Sequence, residues 1–194
     1  FANKTVLVTG GNSGIGLATA LQYAKEGARV VITGRDQATL DQAKALIGAD
    51  TIALQNDQGD HQASAELAQI LNSQEIRLDA IFINAGVAKF AAFADIDEAL
   101  WDQTFNVNVK GAYFTIQALT PLLNRGAAIV LNGSVRSAGV FVTTLIASVI
   151  ASTLAAARGG RPNPTTAIGC PSWRRTQSGM PVRSIRSRRW AGIA

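Results

Sequence analysis

The chain has 194 residues, 47% of them hydrophobic, a length that suits one domain with a sizeable buried core. Its single cysteine, Cys170, excludes an internal disulfide and fits a reducing, cytoplasmic setting. The net charge of +5 conceals a division: residues 1–102 hold all 13 acidic side chains and seven basic ones, whereas 103–194 hold eleven basic side chains and no acidic one. The first residues run straight into a strand-like segment, with no basic stretch leading into an apolar one, so no secretory leader is expected.

Strand and helix patterns alternate from the start. Residues 5–9 form a short run rich in β-branched residues, ended by Gly10 and Gly11, and read as a buried parallel strand. Over 14–26, Ile15, Ala18, Leu21, Tyr23 and Ala24 recur at helical spacing, and Gly27 supplies a stop. A second strand is predicted over 29–33, a second helix over 37–47 closed by Gly48, a third strand over 51–54 and a third helix over 62–71. A fourth strand follows over 78–83, then a loop through Asn84, Ala85 and Gly86. A long helix is predicted over 98–123, weakened near its end by Pro121, and a fifth strand over 127–131. Strands alternating with helices of this length specify a parallel sheet covered on both faces, and right-handed crossovers make it doubly wound.

The alternation then stops. Residues 137–157 are uncharged and mostly small or apolar, and 158–194 mix Arg, Pro, Ser, Gly and Trp with no period. No glycine-bounded strand stands where a sixth or seventh should be.

The chemistry-bearing motif lies between the first strand and the first helix: Thr9, Gly10, Gly11, Asn12, Ser13, Gly14, Ile15 and Gly16. Glycines at this spacing permit a tight turn and let the backbone approach a pyrophosphate, while the helix N-terminus offers unbonded N–H groups and a positive dipole end. A glycine run can also be a bare turn, but the strand–loop–helix context favours phosphate binding.

The loop resembles that of the short-chain dehydrogenase/reductase family. Gly34 and Arg35 after the second strand, Asp57 after the third, Asn84, Ala85 and Gly86 after the fourth, and Asn106 to Gly111 in the long helix resemble the family's segments in order and spacing, as does the fifth strand running into Asn132, Gly133 and Ser134. The branch they look like is that of bacterial reductases related to 3-oxoacyl carrier-protein reductase and glucose dehydrogenase. The resemblance covers about 135 residues and implies an α/β fold of Rossmann type, a doubly wound parallel sheet incomplete at its C-terminal edge. Residues 1–135 are then the dinucleotide-binding domain, and 136–194 a divergent arginine-rich tail that is no independent domain.

The same resemblance implies roles. Gly10, Asn12, Ser13, Gly14, Ile15 and Gly16 would hold the cofactor's phosphates. Gly34 stands in the slot that is acidic in the family's NAD users, and the guanidinium of Arg35 beside it suits a ribose 2′-phosphate, so NADP(H) is expected over NAD(H). A surface arginine beside Asp36 is the alternative. Asp57 corresponds to the family's adenine-contacting carboxylate; a loop or helix cap is its alternative reading, a role that Asp60 could also fill. Asn84, Ala85 and Gly86 would steady the sheet and lie along the cofactor. Asn108 corresponds to a helix Asn whose local backbone distortion holds a water in a proton relay, and it is preferred to Asn106. Ser134 falls in the slot of the catalytic serine that donates to the substrate oxygen, with Asn132 and Ser137 as neighbouring alternatives.

The family's proton donor is a Tyr with a Lys one helical turn later, roughly a dozen residues past the serine. This sequence has no Tyr after Tyr113 and no Lys after Lys110. By spacing the two slots fall near Ala147 and Ala151, or at Ile150 and Leu154 with a small insertion. The expected activity, hydride transfer between a nicotinamide and a small carbonyl or alcohol substrate, is therefore expected to be impaired, with a non-catalytic dinucleotide-binding pseudoenzyme or a truncated relic as the alternative. An out-of-frame reading from about Val135 would account for both the missing pair and the one-sided charge.

No nucleic-acid partner is expected: Arg174, Arg175, Arg183, Arg186, Arg188, Arg189, Trp173 and Trp190 lack any recognised motif spacing. The uncharged run over 137–157 is read as a core or unstructured segment and not a membrane span. The family resemblance implies a homo-oligomer, dimer or tetramer, assembled through its long helices.

Overall fold

Five short aliphatic runs pair into one parallel sheet in the computed structural model, which describes residues 1–89 and 91–133. In chain order the elements are β1 (Thr5–Thr9), α1 (Gly14–Lys25), β2 (Arg29–Gly34), α2 (Gln37–Ile47), β3 (Ile52–Gln55), α3 (His61–Ser73), β4 (Leu78–Ile83), α4 (Glu98–Phe105), α5 (Ala112–Leu119) and β5 (Leu123–Leu131). The strand order is β3-β2-β1-β4-β5, all parallel. The chain runs outward from β1 to β3, then crosses back to place β4 on the other side of β1. That reversal opens a crevice at the carboxyl ends of β1 and β4, the place where open α/β sheets bind ligands.

The period-2 alternation of the strands divides the core in two. Val6 and Val8 of β1 face α1 and α2 with Val30, Ile32, Ala20, Leu40 and Ala43, while Leu7 faces α3 and α5 with Val31, Ile81, Leu67, Leu71, Ile116 and Leu119. Val6, Leu7 and Val8 are all fully buried, so no face of β1 is solvated. This is why the central strands read as continuous apolar runs and not as alternating ones.

Three helices begin on an aspartate. Asp36, Asp60 and Asp97 each precede α2, α3 and α4 and accept from the backbone N–H of Thr39, Gln62 and Leu100 at 2.7, 2.8 and 2.7 Å. Each cap satisfies one donor that helical geometry leaves unbonded.

The helix expected over 98–123 is interrupted. Between α4 and α5 the backbone widens into a π segment (Asn106–Gly111), and α5 stops at Leu119, where a 3-10 turn (Thr120–Leu122) carries Pro121. The lateral space is taken by the loop after β3: a Cβ on Gly111 would collide with the carbonyl oxygen of Gln58. β5 begins at Leu123, four residues before the expected start. Leu78 pairs with Leu123, the register shifts before Ala80 pairs with Ala128, and Gly126 takes φ +83° in between. The extra residues are absorbed in a bulge that periodicity does not register.

Among the described residues no helix is long and apolar enough to cross a membrane. The uncharged run over 137–157, the arginine-rich tail, Ser134, Ser137 and the Tyr and Lys slots lie outside the described residues.

Candidate functional site

The candidate residues gather at one edge of the sheet because each follows a parallel strand: Gly10 after β1, Gly34 at the end of β2, Asp57 after β3, Asn84 after β4 and Asn132 after β5. Thr9 ties the first of these to the fourth. Its Oγ1 accepts from the backbone N–H of Asn84 and of Ala85, both at 2.9 Å. Asn84 answers by donating Nδ2 to the carbonyls of Thr9 (3.2 Å) and Gly10 (3.4 Å), and its Oδ1 accepts from Asn132 Nδ2 at 2.9 Å. One side chain thus joins the ends of β1, β4 and β5.

The glycine loop packs tightly below and stays open above. A Cβ on Gly16 would collide with the carbonyl oxygen of Gly10, so the first turn of α1 sits directly on the loop. Gly14 has φ +52° and nothing within 4 Å of a Cβ position, leaving bare backbone facing open space. Ser13 precedes α1 in extended conformation and makes no side-chain cap bond, and Ser13, Gly14 and Ile15 are exposed. Whereas α2, α3 and α4 each carry an aspartate cap, α1 has an uncapped N-terminus above a glycine cradle. An anion is what such amides lack. The residues present therefore fit the pyrophosphate of a dinucleotide.

At the end of β2, Arg35 is exposed, and Gln55 Nε2 donates to its carbonyl at 2.8 Å. Among the described residues no carboxylate pairs with the Arg35 guanidinium. Asp36 instead turns its carboxylate to Thr39, whose backbone N–H is the main cause that holds its pKa below the usual carboxylate value. Asp57 is exposed and forms a local turn, Oδ1 accepting from Gly59 N–H at 2.9 Å; the cap of α3 is Asp60.

On the other side of the crevice, the π segment grips the loop after β4. Asn108 Oδ1 accepts from Val87 N–H and its Nδ2 donates to the Val87 carbonyl, both at 2.8 Å. Asn106 points elsewhere, donating Nδ2 to the Gly59 carbonyl at 2.8 Å.

Residues 4–148 match the family model of the short chain dehydrogenases. The chain belongs to the short-chain dehydrogenase family. It is 36% identical over 133 residues to an oxidoreductase, asL5, of Sarocladium schorii, covering 68% of this chain and 53% of that one. It is 35% identical over 143 residues to an L-rhamnose 1-dehydrogenase (NAD(P)(+)) of Azotobacter vinelandii, covering 69% of this chain and 56% of the relative. Among solved structures, the RhlG/NADP active-site complex of Pseudomonas aeruginosa superposes with a TM-score of 0.71 at 29% identity, over 81% of this chain and 68% of that one. The chain spans about half the length of the curated relatives it matches.

Two residues of this candidate site escaped sequence reasoning. Gln58 is buried and donates Nε2 to the carbonyls of Ala85 (2.8 Å) and Val107 (3.2 Å), bridging the loop after β4 to the π segment. Its only signal in the sequence is adjacency to Asp57. Thr39 accepts from Asn12 Nδ2 at 2.8 Å, joining the glycine loop to the start of α2. No motif spacing links positions 27 residues apart, and the bond exists only because β1 and β2 are neighbours.

Proposed function

We propose that the chain binds NADP(H) in preference to NAD(H) through the glycine loop, as the dinucleotide-binding part of an oxidoreductase acting on a small carbonyl or alcohol substrate. The observation that carries this reading is the uncapped N-terminus of α1, above an open Gly14, at the crevice between β1 and β4. The backbone amides there would hold the pyrophosphate, with Gly10, Asn12, Ser13, Ile15 and Gly16 shaping the cradle. Arg35, free of a carboxylate partner among the described residues, would take the ribose 2′-phosphate. Asp57 keeps one carboxylate oxygen outside its turn bond and would accept from the adenine amine. Asn84 and Ala85, pinned by Thr9, and Gly86 after them would form the floor along the cofactor.

When bound, the nicotinamide supplies the hydride chemistry. The protein's part is position and proton supply. Ser134 would donate to the substrate oxygen, and Asn108, its side-chain amide committed to Val87, would lie in the distorted backbone that holds a water of the proton relay. The general acid is the weak point, because no Tyr follows Tyr113 and no Lys follows Lys110. A reaction lacking that acid loses on the order of 10²- to 10⁴-fold. The second reading, a dinucleotide-binding chain without turnover, is favoured by that missing pair. The residues from about 135 onward, arginine-rich and without a period, are read as a tail out of the natural frame and not as a second domain. A cytoplasmic homo-oligomer with no nucleic-acid or membrane partner completes the proposal.

The test is a titration of the purified full chain with NADPH and NADH, followed by tryptophan fluorescence and by thermal shift. Saturable binding with NADPH tighter, and a rise in melting temperature with ligand concentration, is expected. Binding of neither dinucleotide by a folded sample overturns the proposal. Turnover of a broad carbonyl panel at ordinary rates overturns the second reading.

A further inference from the structure

Gly34 ends β2, is buried, and has a φ outside the left-handed region, so its backbone does not require glycine. What requires it is space. A Cβ placed on Gly34 would lie 2.8 Å from Asn12 Oδ1, 2.9 Å from Asn12 Cγ and 3.3 Å from Asn12 Nδ2. The volume a side chain at position 34 would enter is already filled by the Asn12 amide.

That amide swings away only by giving up a hydrogen bond. Asn12 Nδ2 donates to Thr39 Oγ1 at 2.8 Å, and Thr39 Oγ1 in turn donates to the Asp36 carbonyl at 3.0 Å. The Thr39 backbone N–H donates to Asp36 Oδ1 at 2.7 Å, fixing the residue in the first turn of α2. Gly34 is fixed from its other side, its carbonyl accepting from Asn56 N–H at 2.8 Å and Gly11 N–H binding the preceding Thr33 carbonyl at 3.0 Å. The glycine loop, the end of β2 and the start of α2 therefore close around one side chain.

From this packing we infer that Asn12 is a specificity-determining residue: held by Thr39, its amide fills the place that a side chain on residue 34 would need. The choice between a phosphorylated and an unphosphorylated adenosine ribose, which Arg35 biases toward the phosphate, then depends also on the pair 12 and 34 together. A carboxylate at position 34, the group that would accept from a free ribose 2′-hydroxyl, enters only when Asn12 leaves. The inference rests on the dinucleotide-binding reading and extends it to a coupling between two positions.

The experiment measures NADPH and NADH dissociation constants by isothermal titration on the full chain carrying Gly34→Asp, Asn12→Ala, both, or Thr39→Ala with Gly34→Asp. Circular dichroism and melting temperature report folding for each. Gly34→Asp alone is expected to lose NADPH binding without gaining NADH. Adding Asn12→Ala should tighten NADH binding about tenfold or more over Gly34→Asp alone, and Thr39→Ala should recover part of that gain by releasing the amide. Equal NADH binding by Gly34→Asp with and without Asn12→Ala overturns the inference while leaving the dinucleotide site standing. Failure of the unmutated chain to bind either dinucleotide overturns both. If Asn12→Ala with Gly34→Asp does not fold, the Thr39→Ala pair decides by the same comparison.

Discussion

Asn108 and Val87 exchange two hydrogen bonds, backbone N–H to Oδ1 and Nδ2 to carbonyl, each 2.8 Å long. A side-chain amide here does what a neighbouring strand does in a sheet: it satisfies both polar groups of one residue. Val87 stands where β4 has ended and its own ladder partners have run out. Asn108→Ala leaves that donor and acceptor unpaired and should cost about 1–3 kcal/mol in urea denaturation. Hydrogen exchange at Val87 should accelerate in the variant while β1 amides keep their relative protection. Unchanged exchange at Val87 would sink the assignment.

Gln58 makes a different kind of bridge. Its Nε2 serves the carbonyls of Ala85 and Val107, but its buried Oε1 has no partner among the described residues. Gln58→Ala should therefore destabilise by about 1–3 kcal/mol through the two carbonyls it abandons. Gln58→Met, similar in shape and without the orphaned oxygen, should cost less than Gln58→Ala. Paired urea curves check the order.

The acid limb of stability has an identifiable contributor. Asp79 accepts from the Thr5 backbone N–H (2.9 Å), and also from Asn124 Nδ2 and Lys4 Nζ (both 3.1 Å). The Thr5 bond is the main cause of its lowered pKa, with Asn124 and Lys4 adding to it against a partial desolvation. A carboxylate with a depressed folded-state pKa stabilises fully above its unfolded value, about 3.9, and that contribution vanishes as pH falls through the folded value. Stability should thus decline on acidification below about pH 4, and Asp79→Asn should flatten the decline. An identical pH profile for Asp79→Asn would falsify this role.

Gly14 and Gly16 should answer differently to the same change. Gly14→Ala adds a methyl group into open space at φ +52°, costing about 1–2 kcal/mol of backbone strain. Because that methyl stands where the pyrophosphate would lie, dinucleotide binding should weaken by at least about tenfold. Gly16→Ala drives a methyl group into the Gly10 carbonyl, and should cost about 3 kcal/mol or more, seen as a fall in melting temperature before any ligand is added.

Strand and helix positions are legible because burial on both faces writes itself into the middles of β1 and β2 as unbroken aliphatic runs, Val6 to Val8 and Val30 to Ile32, and because glycines mark the turns that follow. Family resemblance then placed the candidate residues at the strand ends. What stayed hidden is held by contacts between distant segments. The π segment depends on Gly111 meeting Gln58, and Gln58 reaches Val107 across 49 positions. The early start of β5 depends on a bulge at Gly126, where Asn124, Arg125 and Gly126 look like a turn in isolation. The Asn12–Thr39 bond joins two ordinary loop residues that only the sheet order brings together.

The π segment also sets a phase. A regular helix advances about 100° per residue, so one residue accommodated in a wider turn offsets everything downstream by roughly that angle. The inward stripe of α5, Ala112, Thr115, Ile116 and Leu119, is aimed at the core with that offset included. Thr115 even finds a buried partner in Ser64, at 3.0 Å, from the correct side of α3. Were the segment to wind as a regular helix with every residue kept, this stripe would turn about a quarter-turn away from the sheet, and only the loss of one residue from 106–110 would restore its aim. The segment is thus a counted length: straightening it with every residue kept should misaim α5, whereas a one-residue deletion should keep that aim and instead cost the contacts that Asn106 and Asn108 make.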